Sequence, residues 1–251
     1  MTSHGSTDPV VVAIDGPAGS GKSSVAKGVA RVLGLVYLDS GAMYRALTWA
    51  VLDQGIDLDD LQSVSEVADR VGPTLAWSTD PDQPTTSIGD LDVSTAIRQA
   101  PVTSAVSHVA AVPRVREVLV DCQRRAVSEA QQAGQGIVVE GRDIGSIVLP
   151  NADVKIWLIA DPLVRAARRA AEDVAAGRTV TTDVEAVAAD LARRDTADAT
   201  RAVSPTTRPV DAFEVDASHL TLQEVIALVA NIVSTHTSAQ STQSHVDGVS
   251  P

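Results

Sequence analysis

Cysteine, lysine and aromatic side chains are scarce in this chain, and long apolar runs are missing. One cysteine, Cys122, stands among 251 residues. That excludes an internal disulfide and a cysteine-rich zinc site. Three Trp, two Tyr and one Phe are too few for a base-stacking platform. The net charge of −12 argues against a non-specific nucleic-acid binder, which needs a basic face. No apolar stretch reaches the length of a transmembrane helix, and the first nine residues are polar, with no signal-peptide pattern. These absences predict a cytoplasmic protein with neither nucleic acid nor membrane as partner. Lys22, Lys27 and Lys155 are the only lysines among 20 basic residues, and the rest are arginine. Codon bias produces such a skew. An acidic protein that binds phosphate must also concentrate arginine where it binds.

What is present centres on one stretch near the start. Val10–Ile14 is a β-branched run ending at Asp15, followed by Gly16-Pro17-Ala18-Gly19-Ser20-Gly21-Lys22-Ser23. This is G-x-x-x-x-G-K-[ST]. Behind it, Ser24 to Leu33 carries apolar residues at helical spacing. Strand, glycine loop and helix together predict a phosphate site. Backbone N–H groups converge on the anion and the helix points its positive end there. Lys22 is expected to reach the terminal phosphates, and the Ser23 hydroxyl to ligate Mg²⁺.

The remaining pattern alternates strands and helices. Leu35–Leu38, Gly136–Glu140, Val154–Ile159 and Phe213–Val215 read as strands. About 22–33, 42–54, 61–71, 113–132, 162–176, 183–196 and 222–233 read as helices, the last opened by the capping box Thr221 to Glu224. Between them, Thr74–Trp77, Thr85–Ile88 and Leu91–Val93 read as a small antiparallel β insertion. Alternation predicts a parallel sheet with helices on both faces, the first strand central and the ligand at the strands' C-terminal ends. Residues 1–9 read as a disordered arm, 10–233 as the domain, and 234–251, rich in Ser, Thr, Gln and His, as a disordered tail.

Three further clusters have two readings each. Ser40 and Arg45 follow the second strand; they hold a second phosphate, or they are an ordinary cap with a surface arginine. Arg142 and Asp143, between Gly141 and Gly145, are functional residues at a strand end, or a local ion pair in a solvated turn. Arg194, Asp198 and Arg201 are part of a site, or a helix face laced with ion pairs. Glu140, at its strand end, is a possible water-mediated Mg²⁺ contact.

Taken together, the order and spacing of these stretches resemble the bacterial cytidylate kinases over about residues 10–232. The resemblance rests on Gly16–Ser23, Leu38–Arg45, Ala96–Arg98, Val106–Ala111, Pro113–Glu117, Gly141–Gly145 and Arg194–Arg201. It implies an α/β fold: a parallel-sheet P-loop kinase core with an acceptor-binding insertion at about 64–100 and a helical lid at about 162–194. It implies ATP, CMP and dCMP as substrates, Mg²⁺ as cofactor, and a monomer. On the donor side it implies contacts from Gly16 to Ser24, with Arg165 and Arg169 in the lid. On the acceptor side, Ser40, Arg45 and Arg142 match the positions that hold the phosphate. Ser107, Arg116 and Asp143 match those that contact cytosine, Arg194 and Asp198 match those at the sugar and phosphate, and Arg201 lies beside them on the acceptor side. Arg98 is carried over as an acceptor-side residue. Lys22, Arg142 and Arg194 are the implied catalytic residues. Two positions depart from the pattern: Ser23 stands where Gly or Thr is common, and Ala197 where arginine is common. Kinases for adenylate, uridylate or shikimate are the neighbouring alternatives. A guanine-nucleotide switch would want an N-K-x-D motif, which this sequence lacks.

Overall fold

A computed structural model describes residues 9–177 and 183–247, with side chains beyond Ser238 excepted. In chain order the first elements are β1 (Val11–Asp15), α1 (Lys22–Leu33), β2 (Val36–Asp39), α2 (Ser40–Asp53), α3 (Leu61–Val71), β3 (Leu75–Trp77), β4 (Thr86–Ile88) and β5 (Leu91–Asp92). Then come α4 (Ala100–Val109), α5 (Pro113–Gln132), β6 (Ile137–Gly141), β7 (Val154–Ile159), α6 (Pro162–Ala175), α7 (Val184–Ala199), β8 (Phe213–Asp216) and α8 (Leu222–Asp247).

The main sheet runs β2-β6-β1-β7-β8, all neighbours parallel, with β1 in the middle. Its inner strands are continuous apolar runs because helices cover both faces. Side-chain alternation divides them. Val11, Ala13, Ile137 and Val139 enter a core with α2, α3, α4 and α5. Val12, Ile14, Val138, Ile156 and Leu158 enter a second core with α1 and α8. The antiparallel sheet β3-β4-β5 forms the insertion. It is tied back to the core by the Tyr37 N–H donating to Thr79 at 2.8 Å and by an Arg31–Asp82 ion pair at 2.6 Å.

The structure adds α4, which falls where the sequence reading placed no element. Val102, Ala105, Val106 and Val109 are buried at helical spacing, but ten residues rich in Ser, Thr and Val give a weak local signal. It also extends α8 past the expected stop near Val233. Nothing between Val233 and Asp247 is Gly or Pro, so a helix nucleated by its buried half propagates at little cost. Residues 1–8, the expected connection Arg178 to Thr182 and the last four residues lie outside the described residues. No described helix is long and apolar enough to cross a membrane.

Among the described side chains of α8, Val225, Val229, Ala230 and Val233 are buried. Beyond them, the His236 ring meets the exposed Phe213 of β8 edge-on at 5.8 Å. Residues 239–251 are rich in Ser, Thr and Gln, a composition with little apolar surface to bury, so deleting them is expected to shift Tm by less than about 2 °C. A drop of several degrees in a thermal melt would show that this end of the helix docks on the domain.

Candidate active site

The site begins where β1 stops. At Gly16 the chain turns so close to β7 that a Cβ would stand 2.0 Å from the Leu158 carbonyl oxygen. Only glycine fits. Gly19 and Gly21 have φ of 73° and 93°, left-handed values that cost glycine little. No side chain caps α1, so its first N–H groups face the loop unspent. Lys22 is buried and folded back, its Nζ donating to the Pro17 carbonyl at 2.7 Å. Burial, and then the neighbouring Arg142 charge, push its pKa down to about 7.

Asp15, which sequence reasoning did not single out, closes β1. Its carboxylate accepts the N–H groups of Ile144 at 2.9 Å and Gly145 at 2.7 Å. Burial still pushes its pKa up to about 6, against those two donors. The contact fixes a π-helical turn, Ile144–Val148, and with it the preceding Arg142 and Asp143. The available signal was an acid directly before the loop glycine.

Glu140 lies beside this, near the end of β6. The Tyr37 hydroxyl donates to it at 2.6 Å. Burial and the Asp39 carboxylate raise its pKa, while Lys22 and hydrogen bonds from Ser23 and Tyr37 oppose the rise. Ser23 and Glu140 thus form a hard-oxygen pair at the start of α1.

Beside Glu140, at the end of the neighbouring β2, Asp39 caps α2 through the Ala42 N–H at 2.9 Å and pairs with Arg98 at 2.8 Å. The cap is thus Asp39 rather than Ser40, whose hydroxyl donates to the Glu140 carbonyl at 2.6 Å. Arg45 donates to the Thr103 hydroxyl at 2.9 Å. Burial and the charges of Arg194 and Arg98 push its pKa down to about 9. Arg194 is lowered by burial and by Arg142. Arg142 meets Asp198 at 3.3 Å, and Arg201 meets the same carboxylate at 3.7 Å. Partly buried guanidiniums crowded this closely, with Arg194 and Arg98 acting on Arg45 and Arg142 acting on Arg194, make a site that favours a multiply charged anion.

Deeper in, Arg116 and Asp143 form a buried ion pair. The Arg116 guanidinium stands over the Tyr44 ring at 5.4 Å. Burial raises the Asp143 pKa, while Arg116 and Arg201 pull it back. Ser107, on α4, lines the same cleft.

One cleft of about 760 Å³ brings Lys22, Ser23, Ser24, Ser40, Arg45, Arg98, Ser107, Arg116, Arg142, Asp143, Arg169, Arg194, Asp198 and Arg201 together. Ala18, Gly19 and Gly21 also line it. Gly16, Pro17, Ser20 and Arg165 do not. The last is a departure from the expected lid role: Arg165 turns away, donating to the Ala18 carbonyl at 2.8 Å and pairing with Asp195. Arg168 likewise reaches the Ala217 carbonyl at 2.6 Å rather than the cleft. Of the arginines of α6, Arg169 alone lines the cleft among the described residues, braced by Asp173 at 3.1 Å.

A gluconokinase from Sinorhizobium meliloti superposes with a TM-score of 0.50 at 15% identity, covering 94% of this chain and 98% of that one. At that identity the likeness concerns the fold alone. Sequence likeness goes further. A protein of Streptomyces avermitilis described as cytidylate kinase is 50% identical over 224 residues, covering 89% of this chain and 92% of its own. Its counterpart in Mycolicibacterium paratuberculosis is 51% identical over 225 residues, covering 89% and 95%. The family profile described as cytidylate kinase matches residues 12–235, from β1 through the first half of α8. A match over that span, with half the residues shared, places every element of the cleft inside it: the chain belongs to the cytidylate kinase family.

Proposed function

We propose that this chain transfers the γ-phosphoryl group of ATP to the phosphate of CMP and dCMP. The observation that carries the reading is one cleft with a phosphate loop at one end, a buried Arg116–Asp143 pair at the other, and guanidiniums between. The acceptor phosphate is already anionic, so no protein nucleophile is needed. The protein aligns two nucleotides and offsets repulsion between their charges.

The residues divide the work by position. Lys22 and the N–H groups at the start of α1 hold the donor phosphates. Arg45 and Arg142 hold the acceptor phosphate, and Arg194 lies where charge moves from one to the other. Arg169 on α6 belongs to the lid that closes over ATP and excludes water. Ser23, with Glu140 acting through water, fits Mg²⁺, which prefers hard oxygen ligands and keeps several waters. When bound, Mg²⁺ supplies neutralising charge to the donor phosphates. At the base, the Asp143 carboxylate accepts the cytosine amino group, and Arg116 donates to N3 and O2. Uracil offers a carbonyl and an N3 proton at those places, and both are mismatched.

The test is ADP formation from ATP and Mg²⁺ with CMP, dCMP, UMP, AMP or shikimate. CMP and dCMP are expected to lead. Faster turnover with AMP, UMP or shikimate would replace this reading with one of those acceptors.

The depressed Lys22 pKa makes a second prediction. At roughly pH 8 the free protein holds this lysine largely neutral, and triphosphate beside it restores the charge. Binding a non-hydrolysable ATP analogue is therefore expected to take up close to one proton. Calorimetry in buffers of different ionisation enthalpy reads that number directly. Lys22→Met should abolish the uptake; an unchanged value would assign the proton to another group.

A further inference from the structure

We propose that Arg165 and Asp195 are a positioning pair that clamps the phosphate loop at Ala18, setting affinity for the donor nucleotide without touching it. This rests on the reading of the loop as the ATP site. The Ala18 N–H donates to Asp195 Oδ1 at 2.8 Å, and the Ala18 carbonyl accepts from Arg165 Nη1 at 2.8 Å. Arg165 and Asp195 pair with each other. The Ala18 methyl packs with Ala166 and Leu191 in a small apolar cluster separate from the two main cores. So the backbone donor, the backbone acceptor and the side chain of one loop residue are all held by α6 and α7.

The next residue shows how tight the grip is. A Cβ on Gly19 would meet the Arg165 carbonyl oxygen and Leu191 Cδ1, both at 3.2 Å. A loop with glycines at 16, 19 and 21 loses much conformational freedom when it orders around phosphate. Holding its crown beforehand removes part of that cost from binding. Asp195 lies 177 residues along the chain from Ala18. Arg194 and Asp198, on the same helix, line the cleft. The loop that holds the donor and the helix that faces the acceptor are therefore bolted together at one point.

The experiment is a double-mutant cycle on the full chain with Asp195→Ala, Arg165→Ala and both together. Calorimetry gives Kd for a non-hydrolysable ATP analogue with Mg²⁺, and separately for CMP alone. Each single substitution is expected to weaken the analogue by about tenfold or more, the scale of a lost charge-assisted hydrogen bond. The double variant should be no weaker than the worse single, because both act through one clamp. CMP affinity should stay within about twofold, since Leu191 and Ala166 keep α7 in place. Asp195→Asn keeps an oxygen for the Ala18 N–H and should give an intermediate loss, which serves if the alanine variants do not fold.

Several results would overturn the clamp. One is Arg165→Ala costing far more than Asp195→Ala, with the two losses multiplying, which would make Arg165 a direct ATP contact. Another is equal weakening of CMP and the analogue, which would mean general damage. A third is no change for the analogue. Wild-type protein that fails to bind the analogue overturns the clamp together with the ATP reading. Wild-type protein that binds the analogue yet forms no CDP overturns the choice of acceptor and leaves the cycle to decide the clamp.

Discussion

Lys22→Ala is expected to lower kcat by roughly three orders of magnitude while leaving the fold intact. Lys22 lines the cleft at the phosphate loop, with Lys27 one turn and more further along α1, and its own side chain is buried at the start of that helix. Its partners in the free protein are the Pro17 carbonyl and, at 3.5 Å, the Ser20 hydroxyl. Neither is an anion, and the nearby Glu140 and Asp15 carboxylates only partly oppose the effect of burial, so it is an arriving triphosphate that restores the full charge. In the transition state, charge spreads over the transferring group, and a positioned cation in a dry cleft counts for more than it does in water. Stability should move the other way. Burial holds the pKa near 7 against an ordinary 10.5. Between those values the unfolded chain binds more protons than the folded one, so this group's contribution to stability rises with pH across that window. At pH 7 and below, the wild type carries the cost of a buried charge that alanine lacks. A variant with near-normal kcat, or one that has lost its thermal transition, would contradict the assignment.

Asp143→Asn is expected to lower kcat/KM for CMP about a hundredfold and to narrow the CMP-over-UMP ratio at least tenfold, about 1.4 kcal/mol. The amide keeps the shape but turns one acceptor oxygen into a donor, which suits the uracil carbonyl and opposes the cytosine amino group. It also leaves the buried Arg116 guanidinium without its charged partner, so Tm should fall as well. The alternative is that Asp143 orients Arg142 and reads no base. The geometry disfavours it, because Arg142 is held by Asp198 at 3.3 Å while Asp143 is paired with Arg116. Equal loss for CMP and UMP, with their ratio unchanged, would move Asp143 to that supporting role.

How much of this was legible in the sequence follows from the range of each interaction. Periodicity and end signals are local, so α1, α3, α5 and β7 were read to their observed ends. The continuous apolar runs marked strands buried on both faces, and the parallel sheet followed with β1 central. Local signal failed where it was short or ambiguous. α4 is ten residues without a side-chain cap, and the π-helical turn after β6 has no sequence rule of its own. The polar end of α8 reads as disorder by composition, yet it lacks a breaker before Gly248. Long-range pairings carried no local mark. Asp15 reaches across 129 residues to Ile144, and Arg165 reaches back 147 residues to Ala18. The family resemblance implied that Arg165 and Arg169 both face ATP from the lid. The chain instead spends Arg165 and Arg168 on backbone carbonyls and leaves Arg169 facing the cleft.

The most direct measurement is the ³¹P spectrum of the protein with ATP, CMP and Mg²⁺. Phosphoryl transfer between two aligned nucleotides predicts ADP and CDP rising in equal amounts, with ATP stable when CMP is left out. Inorganic phosphate appearing in place of CDP, or ATP persisting beside CMP, would contradict it.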